Sequence, residues 1–113
     1  MEMGTATFQE SASGRLARIF PGATAMRIPV RLERGCGSAE RTTIEYGTAQ
    51  EVIFRTDTDL GFDESVRLLN DDGSFDVEAR VIAVQWIDSR QAVAVRFMTP
   101  VTNWVVKDWT MKR

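Results

Sequence analysis

The stretch ESVRLLNDDGSFDVEARVIAVQWIDSRQAVAVRFM, residues 64–98, decides the fold class. It contains three segments rich in Val, Ile, Leu and Phe, at 64–69, 75–86 and 90–98. Asn70-Asp71-Asp72-Gly73 predicts a hairpin between the first two, because Asn, Asp and Gly adopt positive φ at low cost. Asp88-Ser89 predicts a second tight turn. The three segments therefore form an antiparallel meander.

The last two segments also show which faces are buried. Val93, Val95 and Phe97 alternate with small or charged residues, as in a half-buried strand. The segment 75–86 alternates at first and then becomes apolar on both faces from Ile82 onward. Another element must cover that second face.

Three similar segments precede the meander, at 25–33, 41–46 and 50–56. Together the segments predict an all-β domain of six strands. Pro29 lies within the first segment and has no N–H to donate to a ladder. It therefore predicts that the first strand lies at an edge.

The two ends of the chain differ from the strands in composition. Residues 1–22 predict a loosely ordered N-terminal arm, in which Ser11 or Ser13 caps one helical turn. One side of that turn, which we expect to dock on the strands, carries Leu16, Ile19 and Phe20.

Residues 100–113 predict a short C-terminal helix, since four apolar residues follow Pro100 at helical spacing. They are Val101, Trp104, Val105 and Trp109. We expect this helix to cover the second face of the strand at 75–86. Trp104 and Trp109 could alternatively contact a protein partner, because tryptophan dominates interface hot spots.

Length and composition limit the function. With 113 residues the chain is long enough for one domain, and it has no histidine and a single cysteine, Cys36. The commonest general base and the usual zinc ligands are therefore missing. Paired carboxylates fall in predicted turns, where solvation explains them. We expect no enzymatic activity, no metal and no cofactor.

Localisation and charge narrow the choice of partners. The chain has neither an apolar run of about 18 residues nor a basic stretch leading into an apolar core. We expect no membrane contact and a cytoplasmic location. A net charge of −2 and a pI near 5.1 argue against nucleic acid as a partner. A small barrel that stacks single-stranded nucleic acid on aromatic side chains is one alternative.

Three patterns carry a family resemblance. They are RIPVRL at 27–32, VIFRT at 52–56 followed by LGFDESVRL at 60–68, and the closing pair VIAV at 81–84 and AVRF at 94–97. Over residues 24–99 the sequence resembles the PilZ domain, a six-stranded antiparallel β-barrel that serves bacteria as a receptor for cyclic di-GMP. The resemblance implies a barrel at 23–99 between the arm and the C-terminal helix.

The nucleotide motifs of that family are degenerate here. The family's first motif, RxxxR, lies just before its first strand. When the sequences are aligned on that strand, Arg27 takes the place of the second arginine and Ala23 that of the first. By literal spacing the motif instead matches Arg27 and Arg31. Its (D/N)xSxxG motif aligns with residues 46–51. Thr48 stands for the serine, while Glu51 replaces the glycine.

The resemblance implies a non-enzymatic regulatory or adaptor module in cyclic di-GMP or motility signalling. Its partner would be a protein, and its nucleotide binding would be weak or absent. The alternative is a cyclic di-GMP receptor, whose ligand-binding residues would be Arg27, Arg31, Thr48, Arg15 and Arg18.

Overall fold

The computed structural model describes residues 12–35, 37–71, 73, 75–87 and 90–99. They form one short helix and six strands: α1 (Ala12–Ala17), β1 (Thr24–Arg34), β2 (Ala39–Gly47), β3 (Glu51–Thr56), β4 (Ser65–Leu69), β5 (Asp76–Ile87) and β6 (Arg90–Phe97). The predicted all-β class is confirmed, and each predicted strand end lies within two residues of the observed one. No helix within the described ranges is long and apolar enough to cross a membrane.

The six strands close into an antiparallel barrel in the order β1-β2-β3-β6-β5-β4. The predicted meander is confirmed, because β4 pairs with β5 and β5 pairs with β6. Closure comes from β1 and β4, whose ladder runs from Arg31↔Leu69 to Arg34↔Val66. The chain crosses one end of the barrel between β3 and β4.

The prediction that β1 lies at an edge is wrong, since β1 pairs with both β2 and β4. Pro29 is nevertheless placed where a missing N–H costs little. It is opposite Thr43 of β2, and the ladder with β4 begins two residues later, at Arg31. The proline therefore occupies the part of a long strand that has one ladder partner.

The interior of the barrel is filled with apolar side chains. Phe54, Leu32, Ile44 and Leu68 are almost completely buried, and Phe97 packs edge-on against Phe75 with ring centroids 6.0 Å apart. Alternation along the strands places these residues inside, as the sequence predicted for Val93, Val95 and Phe97. Among the described residues, the interior is therefore a packed apolar core.

A second core lies outside the barrel, beneath α1. Ala12 and Leu16 of the helix pack against Ile53 of β3 and against Ala92 and Ala94 of β6. The predicted helical turn is confirmed with Leu16 and Phe20 on the docked side, but Ile19 is 62% exposed. Residues 1–11 of the predicted arm lie outside the described residues.

Helix α1 also covers the outer face of β5. A register shift between Val81 and Ala83 turns both Ile82 and Ala83 toward the helix and returns Val84 to the interior. Strand β6 is thus buried on both faces where a half-buried strand was expected. The C-terminal helix predicted at 100–113 as this cover lies outside the described residues.

A buried side-chain amide holds the β3–β4 connection to β6. Gln91 is 1% exposed, and its Oε1 accepts from the backbone N–H of Leu60 at 3.0 Å. Its Nε2 donates to the carbonyl oxygen of Leu60 at 2.9 Å. Leu60 itself is part of the interior core. The amide therefore satisfies two buried backbone groups that have no ladder partner.

Replacing Gln91 by methionine should lower the free energy of unfolding by roughly 2–4 kcal/mol, because both Leu60 backbone groups become unpaired in the core. Urea denaturation followed by far-UV circular dichroism measures the change. Gln50→Met is the matched control, since Gln50 is exposed and should shift stability by less than about 0.5 kcal/mol. Equal stability of Gln91→Met and wild type would contradict the assigned role.

The carboxylate of Glu40 joins the start of β2 to the end of β3. Glu40 Oε1 accepts from Thr56 Oγ1 at 2.5 Å and from Thr58 Oγ1 at 2.7 Å, and its Oε2 accepts from the backbone N–H of Asp57 at 3.0 Å. Burial raises the pKa of Glu40, but these hydrogen bonds outweigh it and hold the pKa below 4.5.

The contribution of Glu40 to the free energy of unfolding should therefore be fully present above pH 4.5, the ordinary pKa of a glutamate. It should be lost as the pH falls through the pKa of Glu40 in the folded protein, which is lower. Glu40→Gln should destabilise the protein by roughly 1.5–3 kcal/mol at pH 7, and the difference from wild type should shrink below pH 4.5. Chemical denaturation at a series of pH values tests this. Glu78→Gln, at an exposed position, is the control, and a pH-independent difference for Glu40→Gln would rule out the linkage.

Candidate functional site

The turn between β2 and β3 holds the residues that align with the family's second nucleotide motif. Thr48 Oγ1 donates to Glu51 Oε1 at 2.5 Å and accepts from the backbone N–H groups of Gln50 and Glu51 at 3.1 and 3.0 Å. The hydroxyl that stands for the family's serine is therefore engaged within its own turn.

Glu51, at the position of the motif glycine, is held from two sides. Its side chain is 14% exposed, and Oε2 accepts from Arg96 Nε at 3.2 Å and from Nη2 at 3.0 Å. Because Thr48 binds the other oxygen, the carboxylate is fixed on the outer wall of the barrel. An incoming phosphate at this corner would meet a negative charge already in place.

Tyr46 begins the motif where the family has an acidic or amide residue. Its register partners are Ala25 in β1 and Ile53 in β3, and it packs against the cluster beneath α1. This position contributes to packing of the helix on the barrel. Each of the three aligned motif positions thus has a role within the fold.

The four candidate arginines all lie on the outside. Arg27 and Arg31 project from β1 between the inward-facing Met26, Val30 and Leu32, and Arg15 and Arg18 are exposed on α1 and just after it. The structure brings Arg27 and Thr48 to the same end of the β1–β2 pair. Arg31 lies four residues further along β1, roughly 13 Å away at strand spacing.

These arginines differ in their partners. Arg31 Nη1 lies 3.9 Å from Glu33 Oε2, a loose pair on the same face of β1. Within the described part of the chain, neither Arg15 nor Arg27 forms an ion pair. Among the described residues, no acidic side chain occupies these two guanidinium groups.

The strand register assembles another charged group that the sequence did not reveal. Glu51, Arg96, Arg80 and Ser65 are successive Cα partners across β3, β6, β5 and β4. Arg80, Arg96, Ile82, Phe97 and Met98 line a surface depression of about 260 Å³. In sequence the two arginines are 16 positions apart, and only the register of the β5–β6 hairpin makes them neighbours.

A metal centre has no basis among the residues the structure describes, because their His, Cys, Asp and Glu side chains form no group of three suited to one. Trp104 and Trp109, the predicted partner contacts, lie outside the described residues.

No protein-family profile and no curated protein matches the sequence. Among solved structures, that of the Bacillus subtilis inhibitor of motility (MotI/DgrA) matches with a TM-score of 0.59 and 15% identity, covering 81% of this chain and 51% of that one. The chain thus spans about half the length of that structure. At this level of identity the similarity establishes the fold, a closed six-stranded barrel of the PilZ type.

Proposed function

We propose that this chain is a non-enzymatic PilZ-like regulatory or adaptor module of cyclic di-GMP or motility signalling in the bacterial cytoplasm. It acts by contacting a protein partner and binds the nucleotide weakly or not at all. The observation that carries the proposal is the internal use of the motif positions, with Glu51 fixed between Thr48 and Arg96.

The two phosphates of the nucleotide depend on charge-assisted hydrogen bonds for their affinity. Each missing charge-assisted hydrogen bond to phosphate forfeits about 1.5–3 kcal/mol, which is tenfold or more in affinity. Thr48 is already engaged within its own turn, and Glu51 adds repulsion where the family's glycine allows close approach. Two or three such losses together would remove most of a micromolar affinity.

The matching structure supports the choice of pathway, because that protein is an inhibitor of motility. An inhibitor acts on some other component, which is consistent with a protein partner for this chain. Trp104 and Trp109 are the candidate contacts, since their large side chains supply the apolar area typical of hot spots.

A second candidate function is direct reception of cyclic di-GMP. Within the part of the chain that the structure describes, neither Arg15 nor Arg27 forms an ion pair, and this favours the second candidate. Arg27 also lies at the same end of the β1–β2 pair as Thr48. In this case Arg27 and Arg31 supply phosphate contacts, and Arg15, Arg18 and Thr48 complete the site.

Isothermal titration with cyclic di-GMP separates the two functions. We expect no heat from the wild-type chain and measurable binding by the double variant Thr48→Ser, Glu51→Gly. This variant restores the serine and the glycine of the motif, removes the carboxylate and leaves Tyr46 in its packing position. Micromolar binding by wild type, lost in the Arg27→Ala, Arg31→Ala double variant, would instead identify a receptor.

Affinity capture from the source cells tests the contact with a protein. A partner retained by the wild-type chain should be lost from the Trp104→Ala, Trp109→Ala double variant, because both anchors are truncated. Trp86→Ala is the control, as Trp86 is 51% exposed on the barrel and has no predicted role in binding. An unchanged set of captured proteins would remove the two tryptophans from the proposal.

A further inference from the structure

Arg80 and Arg96 face each other across the β5–β6 ladder as direct register partners on the outer wall. Like charges in this arrangement destabilise a sheet, so the pair has a cost that the fold must offset. Glu51 lies beyond Arg96 and Ser65 beyond Arg80 in the same row. The row therefore presents two adjacent guanidinium groups flanked by a carboxylate and a hydroxyl.

The two guanidinium groups keep donors unused. Arg96 directs Nε and Nη2 to a single oxygen of Glu51, which orients the group and leaves Nη1 free. Arg80 has one acidic neighbour, Asp63, whose Oδ1 is 3.5 Å from Nε, and within the described ranges it forms no hydrogen bond. By contrast, Arg67 on β4 makes two hydrogen bonds to Asp76, at 2.8 and 2.7 Å.

The depression beside the pair has a size and lining that suit a small anion. Its volume of about 260 Å³ is below the 300–1,000 Å³ usual for drug-sized ligands, so it suits a phosphate group with its nearest substituents. Ile82, Phe97 and Met98 supply apolar lining, and about half of each arginine side chain stays exposed. Apolar lining reduces competing hydration and strengthens charge-assisted hydrogen bonds.

We propose that Arg80 and Arg96 form a binding site for a phosphate group of a small ligand. A tetrahedral phosphate can accept hydrogen bonds from two guanidinium groups at once. A carboxylate has two oxygens, and a single guanidinium group can donate to both of them. Ser65 of β4 is the register partner of Arg80 and continues the row beyond it. The site does not rest on the proposed adaptor function, because it uses none of the arginines assigned to cyclic di-GMP.

Asp63 is the internal competitor for Arg80. Its backbone has φ of 72°, in the left-handed region, and its N–H donates to the carbonyl oxygen of Val81 at 2.8 Å. This hydrogen bond holds the residue beside β5 in a conformation that Asp and Asn tolerate better than most residues. The loose Asp63–Arg80 pair is the contact that an incoming phosphate would replace.

The test is titration of the full chain with inorganic pyrophosphate, in which nuclear magnetic resonance monitors the chemical shifts of the amide and arginine Nε groups. Arg80→Gln and Arg96→Gln should each weaken binding by about tenfold or more. Asp63→Asn should tighten it, because the competing charge is removed and asparagine keeps the left-handed conformation. Arg67→Gln is the matched control and should bind as wild type. Arg67 is an arginine of the same sheet and similar exposure, but it is held by both oxygens of Asp76 and does not line the depression.

Shifts confined to residues around Arg80 and Arg96 would support the site. If Arg67→Gln lost as much affinity for pyrophosphate as the other two arginine variants, or if Asp63→Asn did not bind more tightly, the attraction would be a diffuse effect of surface charge. Either result would overturn the proposed site. Absence of shift changes at excess pyrophosphate, with the spectrum of a folded protein, would overturn it as well. The pyrophosphate titration depends on variants of Arg80, Arg96 and Asp63, whereas the cyclic di-GMP titration depends on variants of Arg27, Arg31 and the β2–β3 turn. Failure of one proposal is therefore distinguished from failure of the other.

Discussion

The pairing of β1 with β4 is the constraint on which the rest of the structure depends. A ladder of four register pairs, from Arg31↔Leu69 to Arg34↔Val66, turns an open sheet into a barrel. Closure removes the free edges that would otherwise pair with other chains. It also creates an interior that apolar side chains fill, so any ligand or partner must meet the outer wall or the ends.

The outer wall is divided into two kinds of surface. One sector is apolar and is covered by α1, whose small and aliphatic residues pack on Ile53, Ala92 and Ala94. The neighbouring sector is charged and contains Glu51, Arg96 and Arg80 in one row. Tyr46 belongs to the first sector and Glu51 to the second. The positions that carry a nucleotide motif in the family therefore serve helix packing and charge pairing in this chain.

Polar groups fix the long connection between β3 and β4 at both of its ends. At the β3 end Glu40 accepts from the N–H of Asp57, and in the middle Gln91 binds the backbone of Leu60. At the β4 end Glu64 binds the N–H of Gly61 and the guanidinium of Arg34. The Gly61 N–H and Arg34 hold the pKa of Glu64 below its ordinary value. With both ends held, the connection places Asp63 beside Arg80, and this contact defines one side of the proposed phosphate site.

The sequence by itself determined the all-β class, the six strands and the two hairpins. These features depend on the alternation of apolar and polar residues along each strand and on turn residues such as Asn70 and Gly73. Both signals are local, because they involve only residues a few positions apart in the sequence. It also placed Leu16 on the docked side of a helical turn, because helical spacing is equally local.

Tertiary structure alone decided where the strand partners lie, and with them the candidate site. Pro29 predicted an edge, but whether a strand gains a second neighbour depends on a distant segment, here β4. Among the described residues, α1 contributes the cover of β5, a contact between segments far apart in the sequence that no local pattern predicts. Arg80 and Arg96 are neighbours because of the register between β5 and β6. A bulge between Val81 and Ala83 shifts that register by one residue, and no local sequence pattern encodes the shift.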